Sequence, residues 1–473
     1  MSTPPEAVAA APAMKAPWIQ ALARILPPGQ LRSDSGALTD YGHDESDYGQ
    51  FPPRIVALPQ TAAEVAEVFR LCQRFQVPVT PCGARSGKSG GSLPLEGGIA
   101  LSLERMNRIK SISVEDLVAV LEPGVITGEL MKAVEAQGLF YPPDPNSLAF
   151  CTMGGNVAEN AGGPRALKYG VTRDYVLGLE WVLPNGEILR VGRQTIKGVA
   201  GYDLVGLFVG SEGTLGVATE ITVQLLPLPK KVRTALVLFR SVFDAAKAVS
   251  ATLAQGILPR CLELLDEVCI KAINGHGFHF PESAGAALLA EVDGNVEEAL
   301  LSELSAFGSI CETHGALETL VAEDEQQRGK LWSIRRELSN SLRRLKAHKV
   351  SDDVAVPRSR IPEAIQYFKK VGEELGLTIA TYGHAGDGNL HANLLFDGPH
   401  ERPTVDQAVE RILRYTVSVG GTITGEHGVG IAKRAYLHFE QPEPLIQLQR
   451  SMKHFFDPSG LLNPGKIFPP SKA

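Results

Sequence analysis

The sequence has no cysteine pair with metal-ligand spacing, no long apolar run and no concentrated basic region. Its 6 cysteines are spread over 473 residues without a C-x-x-C motif, which argues against an iron–sulfur cluster or a disulfide framework and favours a reducing cytoplasm. No uncharged apolar stretch approaches the roughly 20 residues that cross a bilayer. Because the net charge is -7 and the lysines and arginines are scattered, nucleic acid and anionic membrane surfaces are not expected as partners.

The composition predicts a globular protein with a large core. Hydrophobic residues make up 44% of the chain and charged residues 21%, and the length suits two or three domains. Residues 1–18 are rich in alanine and proline and carry an early acidic residue, Glu6. They predict a disordered tail rather than a signal peptide. A cytoplasmic location is therefore expected, with any membrane association made through a partner.

The first half of the chain predicts alternating strands and helices. A short strand over 54–58 precedes the capping box Thr61-Ala-Ala-Glu64 and a helix with one apolar face. A second strand over 77–80 leads directly into a glycine-rich loop. Further on, Asn185-Gly186 stands between two apolar runs, which is the pattern of a β-hairpin.

The second half predicts a separate α+β domain. A strand over 219–226 is followed by the proline-containing segment 227–231, which is typical of a domain joint. Beyond it, helical patterns alternate with a strand-like run, and a last segment returns along the protein; these cover 243–254, 296–307 and 326–347 for the helices, 235–239 for the strand and 435–473 for the return.

The glycine-rich loop, Cys82 to Ser92, contains four glycines, three serines and two basic residues. Glycine adopts positive φ, so that successive backbone N–H groups can surround an anion. The spacing is neither G-x-G-x-x-G nor that of a P-loop. Phosphate binding and a flexible surface loop are equally compatible with this loop alone. Two more segments, 142–163 and 201–216, repeat the small residues and favour a dinucleotide lying across the domain.

Two motifs in the second half bring histidine and acidic residues together between glycines. The first contains His384, Asp387, Asn389 and His391, and the second contains Glu426 with His427. Two imidazoles and one carboxylate form a ligand set for zinc or a similar divalent ion that leaves positions open for substrate. The alternative is that each histidine is a hydrogen-bonded structural residue and that Asp387 and Asn389 only cap a turn.

These motifs resemble the FAD-linked family that contains vanillyl-alcohol oxidase, and within it the D-lactate and D-2-hydroxyglutarate dehydrogenases and the flavin subunit of glycolate oxidase. The resemblance covers residues 41–469. It implies an α+β fold, with an FAD-binding domain of two α/β lobes (PCMH type) and a C-terminal substrate domain whose antiparallel sheet is flanked by helices. The expected boundaries are 1–48 for the tail and lead-in helix, 49–228 for the FAD-binding domain and 229–473 for the substrate and metal domain, whose tail returns to the FAD domain.

The resemblance also implies which residues bind FAD. The pyrophosphate would lie on the first glycine-rich loop, at Pro81, Gly83, Ala84, Arg85, Ser86, Gly87, Lys88, Ser89, Gly90 and Gly91. The rest of the cofactor groove would be formed by Pro143, Asp144, Gly154, Gly155, Asn156, Asn160, Gly163, Glu212, Gly213, Gly216 and Asn463. Some relatives attach FAD through histidine or cysteine. Because no histidine lies between His43 and His276, a non-covalent FAD is expected, with Cys151 as the one thiol beside the motif.

In the substrate domain the resemblance assigns His384, His391 and Glu426 as ligands of a divalent metal, with zinc favoured, and Arg335 as the cation that binds the substrate carboxylate. His427 should face away from Glu426, because neighbouring residues of an extended chain point in opposite directions, and it is the predicted general base. The expected chemistry is oxidation of a small D-2-hydroxy acid to the 2-keto acid, with the metal lowering the pKa of the hydroxyl group and hydride passing to flavin N5.

The substrate and the electron acceptor are less well defined by the sequence. Relatives specific for 2-hydroxyglutarate carry a lysine where this chain has Ser351, just before Asp353-Val-Ala-Val-Pro357, so D-lactate or glycolate is favoured. A D-2-hydroxyglutarate dehydrogenase, a flavin subunit of a multi-subunit glycolate oxidase and a metal-dependent hydrolase remain as alternatives. The acceptor could be a quinone, a cytochrome, an electron-transfer flavoprotein or an iron–sulfur subunit, and a homodimer is one open possibility.

Overall fold

A computed structural model describes residues 16–274 and 279–469 of the chain. The predicted disordered tail lies almost wholly outside the described residues, although its last two residues, Pro17 and Trp18, already belong to a helix. Within the two described ranges, no helix is both long and apolar enough to cross a membrane.

The first lobe is a small α/β unit around a four-stranded sheet of order β1-β2-β4-β3, in which β2, β4 and β3 run parallel. Its elements are α1 (Pro17–Ile25), β1 (Leu31–Arg32), α2 (Ser35–Asp40), β2 (Ile55–Ala57), α3 (Ala62–Phe75), β3 (Val79–Cys82) and β4 (Ile99–Ser102). Helix α3 begins where the capping box predicts, since the Thr61 hydroxyl accepts the Glu64 N–H at 3.2 Å. The Glu64 carboxylate, however, accepts from the backbone N–H of Gln60 rather than that of Thr61.

The second lobe packs helices on a five-stranded antiparallel sheet of order β5-β6-β10-β8-β9. Its elements are β5 (Ile109–Ser113), β6 (Val118–Leu121), α4 (Thr127–Glu135), β7 (Leu139–Phe140), α5 (Met153–Glu159), α6 (Ala166–Tyr169), β8 (Val176–Val182), β9 (Ile188–Gly192), α7 (Leu204–Phe208), β10 (Val217–Gln224) and β11 (Leu226–Pro227). The predicted hairpin joins β8 to β9, with Gly186 at φ 81° in the turn. Trp181 stacks on Phe208 beneath the sheet, with ring centroids 4.5 Å apart.

The C-terminal half contains a seven-stranded antiparallel sheet of order β15-β12-β14-β13-β17-β18-β16. Its elements are β12 (Lys231–Phe239), α8 (Val242–Ala254), β13 (Cys261–Leu265), α9 (Glu267–Asn274), β14 (Ala286–Gly294), α10 (Glu297–Thr313), β15 (Ala316–Val321), α11 (Glu325–Arg343), β16 (His348–Ala355), α12 (Ile361–Leu375), β17 (Thr378–His384), β18 (Asn389–Phe396) and α13 (Arg402–Ser418). Helices α8, α10, α12 and α13 bury one face of this sheet, and α9 and α11 cover part of the other. The predicted fold class is therefore confirmed.

The chain returns to the first lobe after α14 (Leu437–Glu440) and α15 (Glu443–Phe456). Leu462 forms a parallel bridge with Val79 of strand β3. Asp457, 1% exposed, fixes the turn before this bridge. Its carboxylate accepts hydrogen bonds from the Lys453 ammonium at 2.6 Å and from the Leu462 N–H at 2.9 Å.

We expect Asp457→Ala to lower the free energy of unfolding by about 3–5 kcal/mol, because it leaves the half-buried Lys453 charge without its carboxylate. Urea denaturation followed by circular dichroism would measure this loss. Glu443→Ala, on the exposed start of the same helix, is the matched control and should change stability by less than about 0.5 kcal/mol. Equal stability of the two variants would mean that the Asp457 contacts do not hold the returning segment.

Candidate active site

Four neighbouring strands place a row of polar side chains on the sheet face that α9 and α11 cover only in part. Glu263 on β13 pairs with His384 on β17, and His391 on β18 pairs with Asp353 on β16. Tyr382 pairs with His391, which fixes the register between the two histidine strands. Because paired residues of a sheet share a face, these side chains point to the same side. All are buried.

Glu263 holds two of the predicted functional residues at once. One carboxylate oxygen lies 2.5 Å from His384 Nδ1, and the other accepts a hydrogen bond from Arg335 Nε at 2.6 Å. Burial alone would raise the pKa of Glu263, but the charges of His384 and Arg335 lower it to about 2. With Nδ1 bound to Glu263, His384 presents Nε2 to the cavity, the arrangement in which a carboxylate orients a metal-binding histidine.

The three predicted metal ligands converge on one point. His384 Nε2 lies 3.8 Å from one oxygen of Glu426, and His391 Nε2 lies 3.5 Å from the other. Potential ligand atoms of all three residues lie within 4.8 Å of one another. Burial lowers the pKa of His391 to about 3, so its ring is neutral and offers a lone pair. These residues fit a divalent cation, because two nitrogens and a carboxylate face each other at distances longer than direct hydrogen bonds.

Asp353 positions the loop that carries Glu426 and His427. Its Oδ2 accepts the backbone N–H groups of Gly425, Glu426 and His427 at 2.8, 2.9 and 3.0 Å, and its Oδ1 accepts from Asn389 Nδ2 at 2.6 Å. Although burial opposes ionisation, the electrostatic influence of His427 and of Lys433 holds the pKa of Asp353 well below its usual value. The loop therefore bends around a buried negative charge.

The predicted orientation of His427 is wrong. The prediction assumed that the backbone is extended at Glu426 and His427. The bend around Asp353 instead brings both side chains to the wall of the same cavity. His427 Nε2 lies 3.6 Å from Glu426 Oε1, and its ring stacks on that of His391 with centroids 5.4 Å apart. Asp353, His391 and His427 form a second group with metal-ligand geometry.

Arg335 lies on α11 above the polar row and is 8% exposed. Its guanidinium also lies over the Tyr382 ring, 4.6 Å from the centroid. Glu263, which fixes this arginine, was not predicted from the sequence. The available signal was a single charged residue inside the apolar strand Cys261-Leu-Glu-Leu-Leu265, since a buried carboxylate requires partners.

The glycine-rich segments form a cavity of about 390 Å³ that adjoins the polar row. Most of the predicted FAD-binding residues line it, namely Pro81, Gly83, Ala84, Arg85, Ser86, Gly87, Lys88, Gly91, Gly154, Gly155, Asn156, Glu212, Gly213 and Gly216. Ser89 and Asp144 instead line a larger neighbouring cavity of about 720 Å³, together with His384, His391 and Arg335. Glu426 and His427 line both cavities and stand where they meet.

The remaining predicted residues, Gly90, Pro143, Asn160, Gly163 and Asn463, line neither cavity. Asn463 supports the wall from behind, because its amide donates to the carbonyls of Gly91 at 3.0 Å and Glu212 at 2.9 Å. Gly163 permits close packing, since a Cβ there would lie 2.3 Å from the Asp144 carbonyl oxygen.

The walls of the smaller cavity fit a large cofactor with phosphate groups. Arg85 and Glu212 adopt positive φ of 58° and 52°. In this conformation neighbouring backbone N–H groups of a loop can point toward one bound anion. The hydroxyl of Ser92, which lines this cavity, is buried without a hydrogen-bond partner among the described residues, so the cavity offers a donor to a ligand.

The cysteine beside the second glycine-rich segment, Cys151, is 3% exposed and does not line the smaller cavity. Its sulfur lies 3.2 Å from the Thr127 hydroxyl, and burial raises the pKa of the thiol.

Asp353→Ala should release the loop, because three backbone N–H groups lose their shared acceptor. We expect the amides of Gly425, Glu426 and His427 to exchange at least about tenfold faster, the effect of losing roughly 1.4 kcal/mol of protection. Hydrogen–deuterium exchange mass spectrometry measures this directly. Asp397→Ala, which removes an exposed carboxylate paired with Lys346, should leave the loop unchanged, and unchanged exchange in Asp353→Ala would contradict the anchoring role.

Known proteins share both the fold and the sequence of this chain. The family described as FAD binding domain matches residues 53–192, and the family described as FAD linked oxidases, C-terminal domain, matches residues 228–467. Among solved structures, p-cresol methylhydroxylase with bound substrate superposes with a TM-score of 0.80 at 18% identity, covering 96% of this chain and 97% of that one. The 4-ethylphenol oxidase of Gulosibacter chungangensis gives a TM-score of 0.76 at 20% identity, covering 99% of each chain.

Curated relatives are considerably more similar in sequence. Glycolate oxidase subunit GlcD of Bacillus subtilis (strain 168) is 42% identical over 92% of this chain and 93% of its own length. D-lactate dehydrogenase of Anaerostipes hadrus is 37% identical over 90% of this chain and 92% of its own length. Matched by both domain families and by relatives along nine-tenths of its length, the chain belongs to the FAD-linked oxidases.

Proposed function

We propose that this FAD-linked oxidoreductase oxidises a small D-2-hydroxy acid, D-lactate or glycolate, to the corresponding 2-keto acid. The observation that carries the proposal is the convergence of His384, His391 and Glu426 beside His427, at the junction of the glycine-lined cavity and the larger cavity. The names of the relatives, a glycolate oxidase subunit and a D-lactate dehydrogenase, support the same substrate class.

Arg335 would bind the substrate carboxylate. Its Nε is engaged by Glu263, whereas its two terminal nitrogens have no hydrogen-bond partner among the described residues. A planar guanidinium with two free donors matches the two oxygens of a carboxylate. Because Glu263 and the Tyr382 ring hold the guanidinium, the acid would be gripped in one orientation, with its 2-hydroxyl group toward the histidines.

His427 would remove the proton from the 2-hydroxyl oxygen. The ring stands where the two cavities meet, and an imidazole can accept a proton near neutral pH. Glu426 Oε1, 3.6 Å from His427 Nε2, would stabilise the positive charge that the ring acquires.

Two bound groups complete the proposed chemistry. A divalent cation such as zinc, held by His384, His391 and Glu426, would supply a Lewis acid that lowers the pKa of the 2-hydroxyl group. Non-covalent FAD in the glycine-lined cavity would supply the acceptor for the two electrons and the hydrogen that leave C2 of the substrate. We further propose that electrons pass on to a partner, a quinone, a cytochrome, an electron-transfer flavoprotein or an iron–sulfur subunit. The second candidate function is that of a flavin subunit in a multi-subunit glycolate oxidase, favoured by relatives that are themselves called subunits.

The first test is anaerobic mixing of the metal-loaded protein with D-lactate, L-lactate or glycolate while the flavin absorbance is followed. We expect D-lactate or glycolate to bleach the flavin, and His427→Ala to slow this reduction by about 100-fold or more, the usual contribution of a general base. His438→Ala, a histidine outside both cavities, should reduce at the wild-type rate. A yellow protein that neither acid bleaches, alone or with a partner fraction, would contradict the proposal.

The metal site is tested separately by binding. We expect the protein stripped by chelation to take up one zinc or manganese ion in calorimetry, and His384→Ala and His391→Ala to abolish uptake. Glu263→Gln should weaken binding by about 10–100-fold, because it removes the group that orients His384. His400→Ala, which changes an exposed histidine in the short 3₁₀ helix after β18, should bind as the wild type does. Equal binding by all four variants would exclude this site.

A further inference from the structure

The two edges of the seven-stranded sheet differ in how they are covered. At one edge, Ala355 of β16 forms a bridge with Thr422. The carbonyl of Asp353 on the same strand accepts a hydrogen bond from the Lys433 ammonium. At the other edge, β15 pairs with β12 and with no other strand in residues 16–274 and 279–469. Since the unpaired backbone groups of an edge strand can bind another strand, proteins normally cover or charge such an edge, and β15 is the edge that this fold leaves open.

The direction of the open backbone groups follows from one hydrogen bond at the end of β15. The Ala322 N–H donates to the carbonyl of Thr234 at 2.9 Å, and the pairing with β12 continues from there to Thr319 without a shift in register. Hydrogen-bonded and non-hydrogen-bonded positions alternate along an antiparallel pair. Thr319 and Val321 therefore point their N–H and C=O groups away from β12, and neither N–H has an acceptor among the residues that the structure describes.

The side chains along this edge are largely apolar and face solvent. Leu320 is 38% exposed and Val321 is 46% exposed. A groove of about 550 Å³ lies beside the strand, and the apolar part of its wall comes from β12 and α11, through Leu236, Leu238, Leu331 and Ile334. An open strand edge that borders an exposed apolar groove is typical of a surface that binds another chain.

We propose that β15 pairs antiparallel with β15 of a second copy of this chain, about a two-fold axis that passes through Thr319, and that the two large sheets thereby become one continuous sheet. A two-fold axis perpendicular to a sheet reverses the strand direction and keeps every residue on its own face, so the contact is the same for both copies. In this register the outward N–H of Thr319 donates to the carbonyl of Thr319 of the partner subunit, and the reciprocal bond forms as well.

The sequence of β15 is complementary to itself in this register. Leu317 lies opposite Val321 of the partner subunit, and Glu318 lies opposite Leu320 of the partner subunit, so no like charges oppose each other. An axis through Glu318 would place two carboxylates face to face, which destabilises a strand pair, and its backbone groups point toward β12. Val321 ends the strand, so an axis there would leave most of β15 unpaired. A single partner, the second copy, thus satisfies both the backbone groups and the side chains of this edge.

Sedimentation velocity of the FAD-loaded protein tests the proposal, and we expect a dimer with twice the mass of one chain. Thr319→Pro should raise the dimer dissociation constant at least about tenfold, because proline removes the N–H at the axis. This variant should still fold, since that N–H points away from β12. Thr319→Val keeps the N–H and is the matched control, which should dimerise as the wild type does. Circular dichroism and FAD content verify that each variant is folded.

A charge pair at the same position tests the two-fold axis itself. Thr319→Lys and Thr319→Glu should each sediment as a monomer, because like charges would meet on the axis. An equal mixture of the two variants should restore a dimer, since each lysine then meets a glutamate. A monomeric wild type, a dimer that Thr319→Pro leaves intact, or a mixture that stays monomeric would overturn the inference.

Discussion

The buried carboxylate of Asp353 is the constraint on which the site depends. It lies on the edge strand β16, on the sheet face that carries the polar side chains. Its Oδ2 accepts hydrogen bonds from the backbone N–H groups of residues 425–427 rather than pairing with a single counter-ion. Oriented amides act as a fixed cluster of partial positive charges and satisfy an anion without mobile side chains. Because these amides belong to the residues that project Glu426 and His427, satisfying the anion also determines where those two side chains stand. The Asp353 carboxylate thus holds the glycine-containing loop of residues 425–427 in one conformation at the cavity wall.

Glu263 plays a comparable role on the neighbouring strands. One carboxylate orients both His384 and Arg335, so the proposed cation site and the proposed carboxylate-binding donor are positioned by the same group. Elsewhere on the large sheet, Asp293 on β14 binds the Lys168 ammonium at 2.6 Å and the Tyr169 hydroxyl at 2.8 Å, which joins the second lobe to this sheet. Buried, directional contacts of this kind fix the relative position of the two cavities more closely than apolar packing does.

Sequence patterns predicted the parts of this arrangement that are local. Helix α3, the β8–β9 hairpin, the glycine-rich loops and the histidine motifs each consist of neighbouring residues whose spacing carries the information. Glu263 and Asp353 could not be found in the same way, because each is a single acidic residue whose partners lie 36 to 121 positions away and meet it only in the folded chain. The orientation of His427 was mispredicted for the same reason, since the bend that turns it depends on Asp353, 74 positions earlier.

The returning C-terminal segment ties the first glycine-rich loop to residues that are synthesised long after it. Asn463 donates to the carbonyl of Gly91 across 372 positions, and the Lys466 ammonium donates to the carbonyls of Gly90 and Leu93. Domains generally fold in the order in which the ribosome produces them, yet this lobe lacks its last supporting contacts until the other domain has been translated. The first glycine-rich loop therefore acquires its full set of supporting contacts only once residues 463–466 have been made, and exchanging the N-terminal lobe by recombination without that segment would remove them.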